Sequence, residues 1–234
     1  MADSLGDRMK EKYEDRYRIK LTRRMPVIIR LDGKSFHSVT KDCIKPFDYV
    51  FASTMDATAQ ALCRGIQGAK CAYIQSDEIS ILLTDFDKLT TEAWFDYNIQ
   101  KMVSVSAGMA SAYFSCIWNG DKRGIFDSRT FNIPKEEVCN YFIWRQMDWT
   151  RNSVEMLARS YFSHNELHKK NQSDMHEMLH NKGINWADLD GRWKNGQFIY
   201  KDELGWQTIH APRFTQDRKV IENHIFKNSE LLKE

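Results

Sequence analysis

Val27-Ile28-Ile29-Arg30-Leu31-Asp32-Gly33-Lys34-Ser35-Phe36-His37 decides how the chain folds, and it has an echo at Tyr73-Ile74-Gln75-Ser76-Asp77-Glu78-Ile79-Ser80-Ile81-Leu82-Leu83. Each reads as a short β-branched strand that delivers a carboxylate where the chain turns: Asp32 before Gly33, and Asp77 with Glu78 after Ser76. Two acidic groups brought together from separate strands repel unless a cation lies between them. Mg²⁺ takes one or two carboxylates together with phosphate oxygens. Gly33 lets the backbone approach a bulky ligand, and the amides of the following residues to His37 are placed to continue that approach along a triphosphate. The pattern points to metal-assisted phosphoryl chemistry. Its bland alternative is a plain Asp-Gly turn and a solvated hairpin tip.

The flanking segments set these two strands in an order. Residues Asp3 to Tyr17 read as a charged helix with a thin stripe of Leu5, Met9 and Tyr13, suited to docking. Pro26 then opens the first strand. Asp48 is a candidate N-cap for a helix with Phe51, Met55, Ala59 and Leu62 on one face, and Gly65 suits its end. Ala69 to Ile74 and Ile79 to Leu83 form a hairpin. A helix is expected from about Ala93 to Ile117, its small residues packing on a sheet, and a fourth strand from Gly124 to Ile133. The order is β-α-β-β-α-β, an α+β ferredoxin-like palm with both helices on one face. In that topology the first and third strands are antiparallel neighbours, so Asp32 meets Asp77 at one sheet edge. That is the carboxylate geometry of a two-metal polymerase palm.

The rest of the chain reads as an elaboration of the palm: residues 1–134 as N-terminal helix plus catalytic core, 135–234 as helices and a β-hairpin packed on it. Pro134 precedes a long helix to Phe162 carrying Tyr141, Phe142, Arg145, Trp149, Asn152 and Met156 toward the palm. Trp193 to Tyr200 reads as a hairpin turning at Asn195-Gly196, and Trp206 to His210 as an added strand.

Composition sets outer limits. The 234 residues are 42% hydrophobic, enough for a real core. No run reaches the length of a membrane span, and the charged N-terminus lacks the apolar stretch of a signal peptide, so a cytoplasmic protein with no membrane partner is expected. Cys43, Cys63, Cys71, Cys116 and Cys139 are odd in number and never form Cys-x-x-Cys, which argues for reduced core thiols. Net charge is only +2, but Arg16 to Arg24 holds five basic residues and no acidic one. With Lys169-Lys170 and the stretch from Arg213 to Lys219, it could neutralise RNA phosphates or simply be a solvated face.

One competing motif stands apart. His176-Glu177-Met178-Leu179-His180 matches the His-Glu-x-x-His of zinc metalloproteases, in which two histidines one turn apart share a zinc and the glutamate polarises water. The extended pattern wants a third histidine where Trp186 stands, and Asn181-Lys182-Gly183 accounts for the stretch as a helix end. His164 and His168, also four apart, lack the glutamate.

Taken together, the palm, the Asp-Gly-Lys-Ser-Phe-His loop, the Gln-Ser-Asp-Glu-Ile-Ser tip and Asn140-Tyr-Phe-Ile-Trp-Arg-Gln-Met-Asp148 resemble the tRNA-histidine guanylyltransferase family, including its bacterial and archaeal "like" proteins. The resemblance runs from about Tyr13 to Trp206. It implies nucleotide addition to the 5′ end of tRNA in the 3′-to-5′ direction, after ATP or GTP has capped the 5′-monophosphate. Position by position, it implies two Mg²⁺ ions on Asp32, Asp77 and the Gly33 carbonyl, with Glu78 supporting them. The nucleoside triphosphate would lie along Asp32, Gly33, Lys34, Ser35, Phe36 and His37, with Ser76 and Asp77. Lys45 and Asp48 match the family's Lys-Pro-x-Asp loop, and Arg145 and Lys182 could steady phosphate charge. The resemblance also implies a homotetramer, a dimer of dimers. Where eukaryotic members carry His-Ile-Asn-Asn, this chain has Thr150-Arg151-Asn152-Ser153, which favours repair of 5′-truncated tRNA over strict tRNA-His guanylylation. A palm enzyme acting on free nucleotides is the alternative that shares the carboxylates without needing an RNA surface.

Overall fold

A computed structural model describes residues 4–226. The chain opens in one helical run whose winding changes, from α1 (Leu5–Met9) through a π turn (Lys10–Glu14) to a 3-10 turn (Asp15–Tyr17). Asp3, the first residue of the expected helix, lies outside the described residues. Leu5, Met9 and Tyr13 are all exposed and belong to no core cluster among the described residues.

β1 (Val27–Gly33) is followed by a helical turn, α2 (Phe36–Val39). Next come α3 (Tyr49–Gly65), β2 (Ala69–Gln75), β3 (Glu78–Leu83), α4 (Ile99–Ile117) and β4 (Phe126–Asn132). Asp48 caps α3 by accepting the Phe51 amide at 2.9 Å, which satisfies one of the helix's orphan donors. Gly65 is the last residue of α3 rather than its left-handed stop; the positive φ falls at Gly68. The α+β palm is present as βαββαβ, and its sheet continues through β5 (Gln197–Asp202) and β6 (Gly205–His210) in the order β4-β1-β3-β2-β5-β6.

Alternation along the central strands explains the layers. Val27, Ile29, Leu31, Ile79, Ile81 and Leu83 enter a core shared with α3 and α4. Ile28, Tyr73 and Leu82 point the other way, into a core with α5 (Lys135–Arg159) and α9 (Lys219–Phe226). Because both faces are covered, these strands read as nearly continuous apolar runs, as doubly buried strands do. Each such fully buried aliphatic side chain contributes about 1.5–3 kcal/mol. Beyond α5, the short α6 (His164–Leu167), α7 (Gln172–Asn181) and α8 (Gly191–Asn195) make a corner, with Leu167 and Leu179 packed on Leu157 and Ala158.

Two expected elements differ. The helix expected from Ala93 begins at Ile99, because Phe95, Asp96 and Tyr97 hold φ of 51°, 50° and 55° in a left-handed turn. That turn is dictated from far away: Leu21 and Ile99 exchange backbone bonds with Tyr97 and Ile19, and Lys20 and Arg23 pair with Asp96. Arg23 and Arg24 also bind the buried Asp85, so these members of the N-terminal basic run serve the fold. The second difference is at Asn195-Gly196, which ends α8 instead of turning a hairpin. Gly196 holds φ 79°, and a Cβ there would lie 2.6 Å from both the Ile74 carbonyl and the Tyr73 hydroxyl, so only glycine fits. The true hairpin is β5–β6, turning at Glu203-Leu204.

Cys63, Cys71 and Cys139 are buried, Cys43 half-buried and Cys116 exposed, all as free thiols. Among the described residues, no helix is long and apolar enough to cross a membrane.

Candidate active site

β1 and β3 pair so that Asp32 lies directly opposite Glu78, and the Gly33 amide donates to the Asp77 carbonyl at 3.2 Å. The hairpin between β2 and β3 turns on Ser76 and Asp77 alone, with Ser76 at φ 47°, which keeps Asp77 tight against the end of β1. The structure therefore brings Asp32 and Asp77 to one edge. Neither carboxylate has an ion-pair partner among the described residues. Burial, aided by the neighbouring Asp32 and Glu78, pushes Asp77 up to about 6, against the hydrogen bonds from its own amide and Ser76. A carboxylate left half-buried and uncompensated is one that expects a cation.

No cluster of three or more His, Cys, Asp or Glu side chains suited to a metal occurs among the described residues. That excludes a protein-only cage of the zinc kind. It does not misfit Mg²⁺, which keeps waters and phosphate oxygens and needs only one or two carboxylates. Asp32 and Asp77, with the adjacent Gly33 carbonyl, form that oxygen-rich donor set.

The loop after β1 is fixed by its aromatic residue. Phe36 is buried, with ring centroids 4.9 Å from Phe126 and 5.2 Å from Phe114. A Cβ on Gly33 would come within 2.3 Å of that ring, so the glycine permits the loop to fold back on itself. Lys34, Ser35 and His37 stay exposed. The amides of Ser35, Phe36 and His37 have no backbone partner among the described residues, leaving a short nest of donors beside Asp32.

A cavity of ≈ 240 Å³ extends from His37, Ser76 and Asp77 past Lys45 and Asp48 to an aromatic end. There Phe47 stacks on Trp193 at 4.7 Å and 9°, with Tyr49 edge-on at 5.0 Å. Asp56 pairs with Arg192 in the same wall. Asp48 accepts from Ile44 as well as Phe51, and Lys45 donates to the Thr40 carbonyl at 2.8 Å, so both shape this wall. Sequence reasoning missed Phe47, Asp56, Arg192 and Trp193. The one available signal was Asp56 itself, a carboxylate beside the apolar stripe of α3.

Arg145 sits differently from the expectation that it steadies phosphate charge, and Glu78, expected to support the metal ions, is its partner. Arg145 of α5 grips Glu78 at 2.7 and 2.8 Å and also Asp148 at 2.8 Å. Gln75 donates to the same Glu78 carboxylate at 3.1 Å. Both partners of the pair are almost fully buried, so they tie α5 to the palm directly behind the edge. Lys182 is elsewhere: its Nζ reaches the Tyr161 carbonyl at 3.4 Å and lies 4.7 Å from the Phe162 ring centre.

The His176-Glu177-x-x-His180 segment is a plain stretch of α7. His176 packs its ring against Trp186 at 5.8 Å, His180 is exposed, and Gly183 and Ile184 return their amides to His180 and Leu179 to close the helix. No third ligand joins them among the described residues, so this geometry gives the metalloprotease alternative no support.

Comparison with known proteins identifies the family. Residues 6–134 match the family model "Thg1: tRNAHis guanylyltransferase". A bacterial tRNA(His) guanylyltransferase (Thg1)-like protein in complex with ATP superposes with a TM-score of 0.91 at 46% identity, covering 95% of this chain and 99% of that one. A bacterial Thg1-like protein in complex with GTP gives 0.85 at 44%, covering 96% and 100%. A probable tRNA(His) guanylyltransferase of Dictyostelium discoideum is 26% identical over 85% of this chain and 84% of its own length. The family match spans the two strands that carry Asp32 and Asp77, and the chain belongs to the tRNAHis guanylyltransferase family of nucleotidyltransferases.

Proposed function

We propose that this protein adds nucleotides to the 5′ end of tRNA in the 3′-to-5′ direction, guided by the opposite strand, and that its substrates are tRNAs with truncated 5′ ends. In this reaction a 5′-monophosphate oxygen attacks the α-phosphate of ATP or GTP and pyrophosphate leaves. The 3′-hydroxyl of an incoming nucleotide then attacks the capped 5′-phosphate, forming the new phosphodiester and releasing the nucleoside monophosphate of the cap. The observation that carries this reading is the meeting of Asp32 and Asp77 at one sheet edge, without a cationic partner among the described residues, with Asp77 lining a cavity that ends in stacked aromatics.

Asp32, Asp77 and the Gly33 carbonyl would hold two Mg²⁺ ions, which supply Lewis-acid neutralisation of triphosphate oxygens and a more acidic attacking hydroxyl. The free amides of Ser35, Phe36 and His37 orient the triphosphate, with Lys34 and Ser76 at its flanks. The apolar end of the cavity takes a base. Glu78 acts through Arg145, holding α5 and the hairpin in register, so that Asp77 is not free to swing.

Preference for truncated tRNA over strict tRNA-His guanylylation is supported at Thr150 to Ser153. Ser153 is buried, donating to the Trp193 carbonyl and accepting from Trp186 at 3.0 Å, so this position serves packing. The palm over 1–134 and the elaboration over 135–234 act as one body in this scheme. Assembly as a dimer of dimers in the cytoplasm completes it, with the exposed Leu5, Met9 and Tyr13 stripe as a surface for association.

The test is incubation with a 5′-monophosphorylated tRNA lacking its first nucleotide, Mg²⁺ and each nucleoside triphosphate in turn. Addition of the nucleotide complementary to the opposite strand is expected, and Asp32→Ala should abolish it while the protein stays folded. Labelling that survives Asp32→Ala, or turnover of free nucleotides without RNA, refutes the proposal.

A further inference from the structure

The far end of α5 carries a cluster that the palm does not use. A concavity of ≈ 440 Å³ between α5, α6 and α7 is lined by Arg159, His164, His168, Lys169 and Lys170. Its charge is one-sided in what it can offer a ligand. Glu155 and Arg159 engage each other, which leaves the lysines as the unpaired charge among the described residues. Glu166 and Asp174 are held in capping boxes with Ser163 and Asn171. Lys169 and Lys170 are exposed and have no ion pair or side-chain hydrogen bond among the described residues. Lys169 also sits at φ 60°, a left-handed backbone that asparagine or glycine adopts more readily. That left-handed residue follows the end of α6, where the Lys170 amide returns to the Leu167 carbonyl at 3.1 Å, and both lysines are left exposed.

Position supplies the second half of the argument. Arg145 touches Glu78 behind the catalytic edge, and Arg159 ends the same helix. At 1.5 Å per residue that is about 21 Å of rigid α5. Phosphates along one strand of a duplex advance about 3.4 Å or somewhat less each, so about 21 Å corresponds to roughly six to eight nucleotides.

We propose that this corner is a second RNA contact, which takes the phosphate backbone of the substrate duplex roughly six to eight nucleotides from the 5′ end bound at Asp32 and Asp77. It rests on the palm reading given above. The contact positions and carries no base information, since lysines on phosphates do not read sequence. α5 then acts as a ruler: its middle is fixed to the palm by Glu78, and its end measures out the stem.

The experiment compares wild type with Lys169→Glu/Lys170→Glu on 5′-monophosphorylated hairpins of about four and about twelve base pairs, with binding followed across a salt titration. For the long duplex, roughly ten-fold weaker binding and a salt slope shallower by about two are expected. The short duplex and GTP alone should bind equally well to both proteins. Lys169→Gln/Lys170→Gln should fall between them, which guards against a folding artefact. Equal affinity of both proteins for the long duplex overturns the proposal, and so does an equal loss on both lengths. Asp32→Ala separates the two levels: if it stops labelling, the palm reading stands whichever way the lysines behave. A wild-type protein that binds neither RNA overturns both.

Discussion

Asp77 and Glu78 are adjacent residues at one hairpin tip, yet the two sides of that peptide are built on opposite principles. Behind it, Glu78 is neutralised entirely by protein: two bonds from Arg145, one from Gln75, and Arg30 Nε at 3.7 Å. In front, Asp77 is half-buried and receives no cation among the described residues, so its carboxyl is pushed up to about 6. A fold able to satisfy one carboxylate so fully could have satisfied the next. Leaving Asp77 and Asp32 uncompensated costs stability, and under the proposed function that cost reserves them for a ligand that brings positive charge with it.

The contrast breaks first at activity. Asp77→Asn should reduce labelling of 5′-monophosphorylated tRNA by about 10³-fold or more, because several kcal/mol of charge stabilisation at the reacting phosphate are lost. Its urea midpoint should not fall. Labelling within ten-fold of wild type would show that the front carboxylate is not reserved for chemistry. On the other side, Arg145→Met strips the buried Glu78 of its two short charged bonds and leaves only Gln75 and the more distant Arg30, which should cost about 3–5 kcal/mol in urea unfolding. Arg145→Met combined with Glu78→Leu should recover much of that loss, because no charge is left behind. A single variant within about 1 kcal/mol of wild type would mean that Glu78 finds water or another partner.

How much of this was legible depended on the distance over which each feature is decided. β1, β2, β3, the cap at Asp48 and the start of α5 after Pro134 are written locally, in alternation and capping chemistry, and these were readable. That Asp32 and Asp77 come to one edge was readable too, since it follows from the order in which the strands pair. The left-handed turn at Phe95 to Tyr97 was not, because its cause is the Ile19 to Arg23 segment laid against it. Asn195-Gly196 was ambiguous, as the same pair serves a hairpin turn or a helix end; stacking of Trp193 on Phe47 and the Tyr73 ring beside Gly196 settle it. Arg145 was visible as a charged residue facing the palm. Its partner was hidden, because the pairing crosses from α5 to the sheet.

The third effect is a pH dependence of the metal-free protein. The folded chain holds the Asp77 proton more tightly than the unfolded chain, whose carboxylate titrates at its ordinary value of 3.8. That stabilisation is complete below about pH 4 and is lost as the pH rises through about 6, a span worth about 3 kcal/mol. Thermal unfolding in chelator should therefore weaken from pH 4 to 7, and Asp77→Asn should flatten that limb. Excess Mg²⁺ should restore the stability at pH 7 by binding the folded state alone. If Asp77→Asn keeps the wild-type slope, the uncompensated charge lies elsewhere.

Asp48 gives the smallest and most pointed test, because it lines the same cavity and yet belongs with Glu78 in kind. Burial works against its charge, but the amides of Phe51, Ile44 and Val50, with Lys45 nearby, outweigh it and hold the carboxyl below its usual range. Its stabilisation is therefore present above the unfolded carboxylate pKa and fades as the pH falls, the reverse of Asp77. Asp48→Ala should cost about 1 kcal/mol at pH 7, the value of a lost N-cap, and nothing at strongly acid pH. The same variant should raise the KM for nucleotide, since the Lys45 to Asp48 wall loosens, while leaving kcat near wild type because no reacting atom is touched. A collapse of kcat in Asp48→Ala would move this residue to the ligand side, and the division between satisfied and reserved carboxylates would then run through the cavity wall instead of between Asp77 and Glu78.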